Sequence, residues 1–355
     1  MNNLVKRCES LIENALHENI FPGCVLNIYY NGNTICYKGL GRFDYNINSK
    51  KVRKYTIYDI ASLTKVIAVV PAVMILYERG QIDIEEKVSY YIPEFNGENK
   101  NKIRIKNLLS HSSGLPSYRE YFRKNNIKQD VINHITNEPL RYKPNTNSDY
   151  SDLGFILLGY IIEKIANSSL ADFCEKNIYK PLNMNSTFFR PSRELWEKIP
   201  PTEKCSWRKK TLQGEVHDEN SYAMGGIAGH AGLFSNAGNI AKFCRMILDE
   251  GVYKGKQVIK KETIGKFTAR VEGIKNCKWG LGWRMFMGKD DVIGNILSPG
   301  SFGHLGYTGT SLWIDPKMKL FSILLTNRVH PTRENKKITA FRPLLHDEIW
   351  RFFKT

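Results

Sequence analysis

Asp59-Ile60-Ala61-Ser62-Leu63-Thr64-Lys65 runs directly into the apolar segment Val66 to Leu76, and that junction decides the fold. An apolar run of this length predicts a buried helix, with Ser62 at its start. Residues three apart share a helix face at roughly 5 to 6 Å, which brings the Lys65 amine within reach of the Ser62 hydroxyl. A helix N-terminus also offers free N–H groups and about half a positive charge, favouring an anionic transition state nearby. Pro71 removes only a bond to the carbonyl of Ile67, beyond that first turn. Ser-x-x-Lys alone is a weak signal, since Ser206-Trp207-Arg208-Lys209 matches it equally well. The second copy lies in a polar stretch with no apolar helix behind it.

On the N-terminal side, Cys24 to Tyr30 and Thr34 to Gly39 are β-prone runs around Asn31-Gly32, which supplies the positive φ angles of a hairpin turn. Near the other end, Ser311 to Ile314 and Leu320 to Thr326 flank Asp315-Pro316-Lys317-Met318 as a second hairpin, and Trp279 to Phe286 reads as a further strand. Thr332 to Phe353 carries apolar residues at near-helical spacing and predicts a closing helix. The middle is helical, most clearly at Ser151 to Ala166 and Asn239 to Leu248. The expected architecture is α/β of the α+β kind. An antiparallel sheet built from both chain ends (1–60 and 265–355) is flanked by helices, and a mainly helical domain (61–264) is inserted into it, with the active site at their junction.

Two further segments carry chemistry. Tyr150-Ser151-Asp152 precedes the apolar helical run Leu153 to Ile162; a tyrosine beside an ammonium has its phenolate favoured and can act as a general base. His304-Leu305-Gly306-Tyr307-Thr308-Gly309-Thr310 leads into the strand from Ser311, where small residues let a substrate backbone approach a sheet edge. His111 and His230 sit among small residues and read as structural hydrogen-bonding groups. His217-Asp218-Glu219, ahead of Gly225-Gly226, reads as a solvated turn first and as a substrate contact bordering the cleft second.

Ser62 to Lys65, Tyr150 to Asp152 and His304 to Gly306 resemble, in order and spacing, the three motifs of the serine β-lactamase and penicillin-binding protein superfamily, class C-like branch. Leu108 to Pro116, Pro181 to Met184 and Gly229 to Ser235 are similar to further stretches of that family, so the likeness spans nearly the whole chain. The resemblance implies a β-lactamase/transpeptidase-like fold and an acyl-enzyme mechanism. Ser62 attacks a carbonyl, Lys65 and Tyr150 move its proton, and the backbone N–H groups of Ser62 and Tyr307 form the oxyanion hole. Asp152, His304 and Gly306 fall at substrate-binding positions. Many β-lactamases of the family carry Asn where this chain has Asp152, and Lys where it has His304. A carboxylate only accepts hydrogen bonds, and a histidine is less reliably cationic than a lysine. Both departures point towards an esterase or D-amino-acid peptidase, with a D-alanyl carboxypeptidase or β-lactamase as the enzymatic alternative. A non-catalytic peptide- or polyanion-binding protein is the alternative of another class.

Composition fits an ordinary folded protein of 355 residues, 42% hydrophobic and 25% charged. The net charge of +17 comes from scattered lysines and short clusters, which read as solvated surface; no nucleic-acid partner is expected. Seven cysteines at wide spacing suggest free thiols. Met1 to Ile20 is an amphipathic surface helix interrupted by charges, unlike a signal peptide, and no apolar run reaches membrane-span length, so a cytoplasmic protein is expected. There is no helical His-Glu-x-x-His, phosphate loop or dinucleotide fingerprint, so neither cofactor nor metal is implied. The partner is a small molecule or short peptide.

An active-site serine reagent should label Ser62 and leave Ser206 unmodified. Intact mass with peptide mapping reads this out, and an adduct on Ser206 alone would overturn the assignment.

Overall fold

The computed structural model describes residues 1–124, 127–288 and 292–354. Helix α1 (Asn2–His17) leads into strands β1 (Gly23–Tyr30) and β2 (Asn33–Gly41). The middle of the chain holds α2 (Val70–Glu78), α3 (Asp152–Ala166) and α4 (Ala237–Leu248), with shorter pieces between them. The chain then forms β3 (Arg284–Met285), β4 (Phe302–Leu305), β5 (Ser311–Asp315), β6 (Leu320–Thr326) and α5 (Ile338–Lys354). The six strands make one antiparallel sheet in the order β3-β4-β5-β6-β1-β2, so the two chain ends meet where β1 pairs with β6. Asn31 and Gly32, with φ of 41° and 88°, close the first hairpin as their residue types require.

Side chains alternate between the two faces of the sheet. Leu26, Ile28, Trp313 and Leu324 face α1 and α5, where Leu4, Cys8 and Ile12 meet Phe341, Leu345 and Trp350. Trp350 is fixed further by donating its indole N–H to Asp315 Oδ2 at 2.9 Å. The opposite face sends Val25, Leu312, Ile314, Ile323 and Leu325 into a larger core shared with α2, α3 and α4. Strand β6 is therefore buried along its whole length. That explains its run of apolar residues on both faces.

Met1 to Ile20 forms the amphipathic surface helix expected: α1 buries a stripe of Leu4, Cys8, Ile12 and Ala15 and leaves its other residues half-buried or exposed. Two expectations change in detail. Within Trp279 to Phe286 only Arg284–Met285 is a strand, because the chain turns at Gly280 and Gly282 and packs Gly282 against the Val70 side chain. The segment after Ser62 is not a plain α-helix. Leu63, Thr64 and Lys65 donate to carbonyls three residues back, and Lys65–Val69 is a π-helical turn in which the Val70 N–H reaches Lys65 O. Pro71 follows just inside α2, where its missing N–H costs least. All seven cysteines are buried and unpaired. Among the described residues no single helix is long and apolar enough to cross a membrane.

Candidate active site

The turn carrying Ser62 is set by Asp59, whose short strand Tyr58–Asp59 pairs with Leu233–Ser235. Asp59 Oδ1 accepts the Ala61 N–H at 2.8 Å, which supports Ala61 at the unfavourable φ of 47°. Asp59 Oδ2 accepts the His217 N–H at 2.6 Å. From the sheet side, Thr308 Oγ1 donates to Asp59 O and Thr310 Oγ1 to Ile60 O, at 2.9 and 3.2 Å. The turn is thus pinned between the sheet and the helical half before any ligand arrives.

Ser62 Oγ accepts two hydrogen bonds, from Lys65 Nζ at 3.0 Å and from Tyr150 OH at 2.9 Å. Lys65 is fully buried, and its other two donors go to Asp152 Oδ1 at 2.7 Å and His230 O at 3.0 Å. Burial pushes the Lys65 pKa down, against the pull of the Asp152 carboxylate. Tyr150 moves the other way: burial, with the Asp152 charge beside it, holds its pKa well above that of a free phenol. The expectation of a favoured phenolate at Tyr150 is therefore reversed, because desolvation outweighs the neighbouring ammonium.

Helix α3 begins at Asp152, and its cap, Ser151, accepts the Gly154 N–H. Ser151 in turn donates its N–H to His111 Nδ1 at 3.1 Å and its hydroxyl to Pro116 O at 2.7 Å. His111 is structural, as expected, and its ring packs 4.7 Å from that of Tyr150. Trp279 and His304 flank Tyr150 as well.

His304 Nδ1 lies 2.8 Å from Leu305 O, so it carries the proton and donates; Nε2 is buried and without a partner among the described residues. Burial, then the Lys65 charge, pushes the His304 pKa down to about 3. The ring is therefore neutral at physiological pH.

Both backbone groups of Gly306, expected beside the substrate, are engaged within the fold. Its N–H donates to Thr310 O at 2.7 Å and its carbonyl accepts from Arg342 Nη2 at 2.8 Å. It is glycine for close approach: a Cβ would stand 2.0 Å from Thr310 Oγ1 and 2.8 Å from Ile60 O. The N–H groups of Ser62 and of the half-exposed Tyr307 meet no acceptor among the described residues.

Ser62, Tyr150 and Tyr307 open on a cleft of about 740 Å³ that also receives Asp152, Asp218, Glu219 and Arg333, whereas His304 is buried and neither it nor Gly306 is part of the lining. His217-Asp218-Glu219 is not a solvated turn. His217 and Glu219 are buried, Asp218 caps the short helix Glu219–Ala223 through the Ser221 N–H, and His230 Nε2 lies 2.7 Å from Asp218 Oδ1. Burial raises the Asp218 pKa, but His230 and these hydrogen bonds outweigh it and hold the carboxyl well below the usual range. Arg333 bridges Glu203 and Glu219, each at 2.5 Å, and His217 Nε2 lies 3.1 Å from Glu203. Sequence reading missed Arg333, Glu203 and Asp59, which lie in no motif. It also missed Trp279, whose aromatic run suggested a strand. Ser206 sits in the exposed turn between Lys204–Cys205 and Lys210–Thr211, on the cleft rim without a helix.

The hydroxyl, amine and phenol meeting at one oxygen, on this sheet-and-helix framework, define an enzyme of the serine hydrolase type. The Beta-lactamase family profile matches residues 8–346, and the chain belongs to that family. It is 33% identical over 361 residues to the N-acetylmuramyl-L-alanine amidase of Bacillus subtilis strain 168, covering 92% of this chain and 81% of the relative. It is 34% identical to an Escherichia coli K12 protein provisionally named a D-alanyl-D-alanine carboxypeptidase, covering 78% of this chain and 70% of that one. The fold is shared with EstCE1, a hydrolase with promiscuous acyltransferase activity (TM-score 0.79, 18% identity, 98% and 99% of the two chains). It is shared too with the octameric penicillin-binding protein homologue of Pyrococcus abyssi (TM-score 0.73, 22% identity, 99% and 80%).

Replacing Gly306 by alanine should drive its loop away from Ile60 and carry Tyr307 with it. Acylation by an activated ester is expected to fall about a hundredfold, the scale of losing one oxyanion donor, with the circular dichroism spectrum unchanged. An unchanged acylation rate would show that the loop yields without moving Tyr307.

Proposed function

We propose that the protein hydrolyses an ester or a peptide-like amide, of the kind found in D-amino-acid-containing or wall-derived peptides, through an acyl-enzyme on Ser62. The observation that carries this reading is the pair of hydrogen bonds onto Ser62 Oγ, from Lys65 and Tyr150, at the edge of the cleft. The opposed pKa directions support one division of roles. Lys65, pushed down by burial, is the group that reaches its neutral form first and takes the Ser62 proton as Oγ attacks the carbonyl. Tyr150 keeps its proton and gives it to the departing oxygen or nitrogen. In deacylation a water attacks the ester, its proton returns to Tyr150, and the Lys65 ammonium reprotonates Ser62. Each group ends as it began, and one water is consumed.

The N–H groups of Ser62 and Tyr307 receive the oxyanion in this scheme. His304, buried behind Tyr150 and outside the cleft lining, supplies no charge partner to the free carboxylate of a β-lactam or a C-terminal D-alanine, which favours esters and internal or blocked amides over β-lactamase and carboxypeptidase action. The name of the amidase relative supports the amide arm of this reading.

A panel of a short-chain ester, a blocked D-amino-acid amide, a D-alanyl-D-alanine peptide and a penicillin, with Ser62→Ala as control, tests the reading. Turnover should be fastest on the first two and absent in the variant; activity surviving in Ser62→Ala would remove the mechanism. The role of Asp152 has its own signature. Its carboxylate favours the Lys65 ammonium, so Asp152→Asn lowers the Lys65 pKa further. The acidic limb of kcat/KM for a neutral ester should therefore move to lower pH. A limb that stays in place or moves up would show that Lys65 is not the titrating base.

A further inference from the structure

Arg342, on α5, is buried at 6% exposure, and among the described residues no carboxylate lies within 4 Å of it. Burial, reinforced by Arg328, lowers its pKa to about 9, which still leaves it cationic at neutral pH. A buried guanidinium without an anion is costly, and packing alone gives no reason for it. The three hydrogen bonds it makes among the described residues go to backbone carbonyls of one loop: Nη2 to Gly306 O at 2.8 Å and Thr310 O at 3.1 Å, and Nε to Gly309 O at 3.3 Å. That loop joins β4 to β5 and carries Tyr307.

The first of these carbonyls matters most, because Gly306 C=O and Tyr307 N–H belong to one peptide unit. A cation bonded to the oxygen of an amide draws electron density from its nitrogen and strengthens the N–H as a donor. The other unassigned N–H, on Ser62, is arranged alike. Its peptide partner, Ala61 O, accepts from both the Thr64 N–H at 2.9 Å and Thr64 Oγ1 at 2.6 Å. Arg328 completes the setting by donating Nε to Tyr307 O at 2.9 Å, which fixes the next peptide unit in line.

We propose that Arg342 is a positioning residue of the oxyanion hole, holding the Gly306–Tyr307 peptide in place and polarising it so that its N–H donates more strongly to the negative charge of the tetrahedral intermediate. The inference rests on the acyl-enzyme reading above. It differs in locating part of the transition-state stabilisation outside the cleft, in the C-terminal helix.

The test compares an oxoester with its thionoester, whose sulfur anion accepts N–H hydrogen bonds poorly and so gains little from the hole. In Arg342→Gln, which keeps a neutral donor, kcat/KM for the oxoester should fall about tenfold, less than the loss of a whole donor. KM should stay within about twofold, and the thionoester rate should change little, as expected for an interaction made in the transition state. The oxo-to-thiono ratio therefore drops. In Arg342→Lys, which keeps the charge, the ratio should recover in part, and this variant decides the matter if the glutamine variant does not fold. A ratio equal to wild type in the folded variants, or a parallel fall for both esters, would overturn the proposal. Failure of the acyl-enzyme reading looks different: Ser62→Ala would then still turn over the oxoester.

Discussion

The buried ammonium of Lys65 constrains everything around it. Taking such a charge out of water costs several kcal/mol even after relaxation, and the cost is met only if every N–H finds an acceptor. The three acceptors come from distant segments: Ser62 three residues away, Asp152 at a separation of 87 and His230 at 165. The helical half must therefore bring α3 and the loop before Leu233 to the same point. Asp152 arrives in the first turn of α3, where the helix dipole favours a carboxylate. The His230 carbonyl is delivered by a loop fastened through Asp218 and through Ser221 Oγ, which donates to Ala231 O at 3.0 Å. Gly229 lets that loop reach α3 at all, since a Cβ there would stand 2.0 Å from Phe155 O. Small residues near the site thus reflect close packing of backbone around one cation.

The same constraint explains which parts could be read from the sequence. Hairpins at Asn31-Gly32 and Asp315 to Met318, and the helices starting at Asp152 and near Asn239, are local in origin, and turn chemistry and periodicity reveal them. The grouping of Ser62, Lys65 and Tyr150 was legible because its members sit at the starts of apolar runs. Three things were not. The Arg333 bridge to Glu203 and Glu219 joins residues over a hundred positions apart, with no pattern to mark them. The direction of the Tyr150 shift depends on how completely the ring is enclosed by His111, Trp279 and His304, which no local sequence encodes. Trp279 itself has strand-like neighbours, yet glycines at 280 and 282 turn the chain towards the site.

Sheet and helices contribute different things to the site. The helical half supplies Ser62, Lys65, Tyr150 and Asp152, each mounted on a helix start or a clamped loop. The sheet supplies the loop between β4 and β5, whose Thr308 and Thr310 hydroxyls grip the carbonyls of Asp59 and Ile60. Serine and oxyanion loop are thereby bonded to each other directly and do not depend on the rest of the interface to stay in register. Side chains held this way lose little entropy when a substrate arrives, which is the condition for geometry to lower a barrier.

Charge is distributed against the overall trend. The chain carries a net +17, yet six carboxylate residues line the cleft against three lysines and arginines. Most of the acids are already paired, Asp152 with Lys65, Asp218 with His230, and Glu203 and Glu219 with Arg333. The cleft has no surplus of cations with which to hold a polyanion. Exposed charges farther apart than a Debye length, about 8 Å at physiological ionic strength, act almost independently. The basic surface and the cleft are therefore separate electrostatic features.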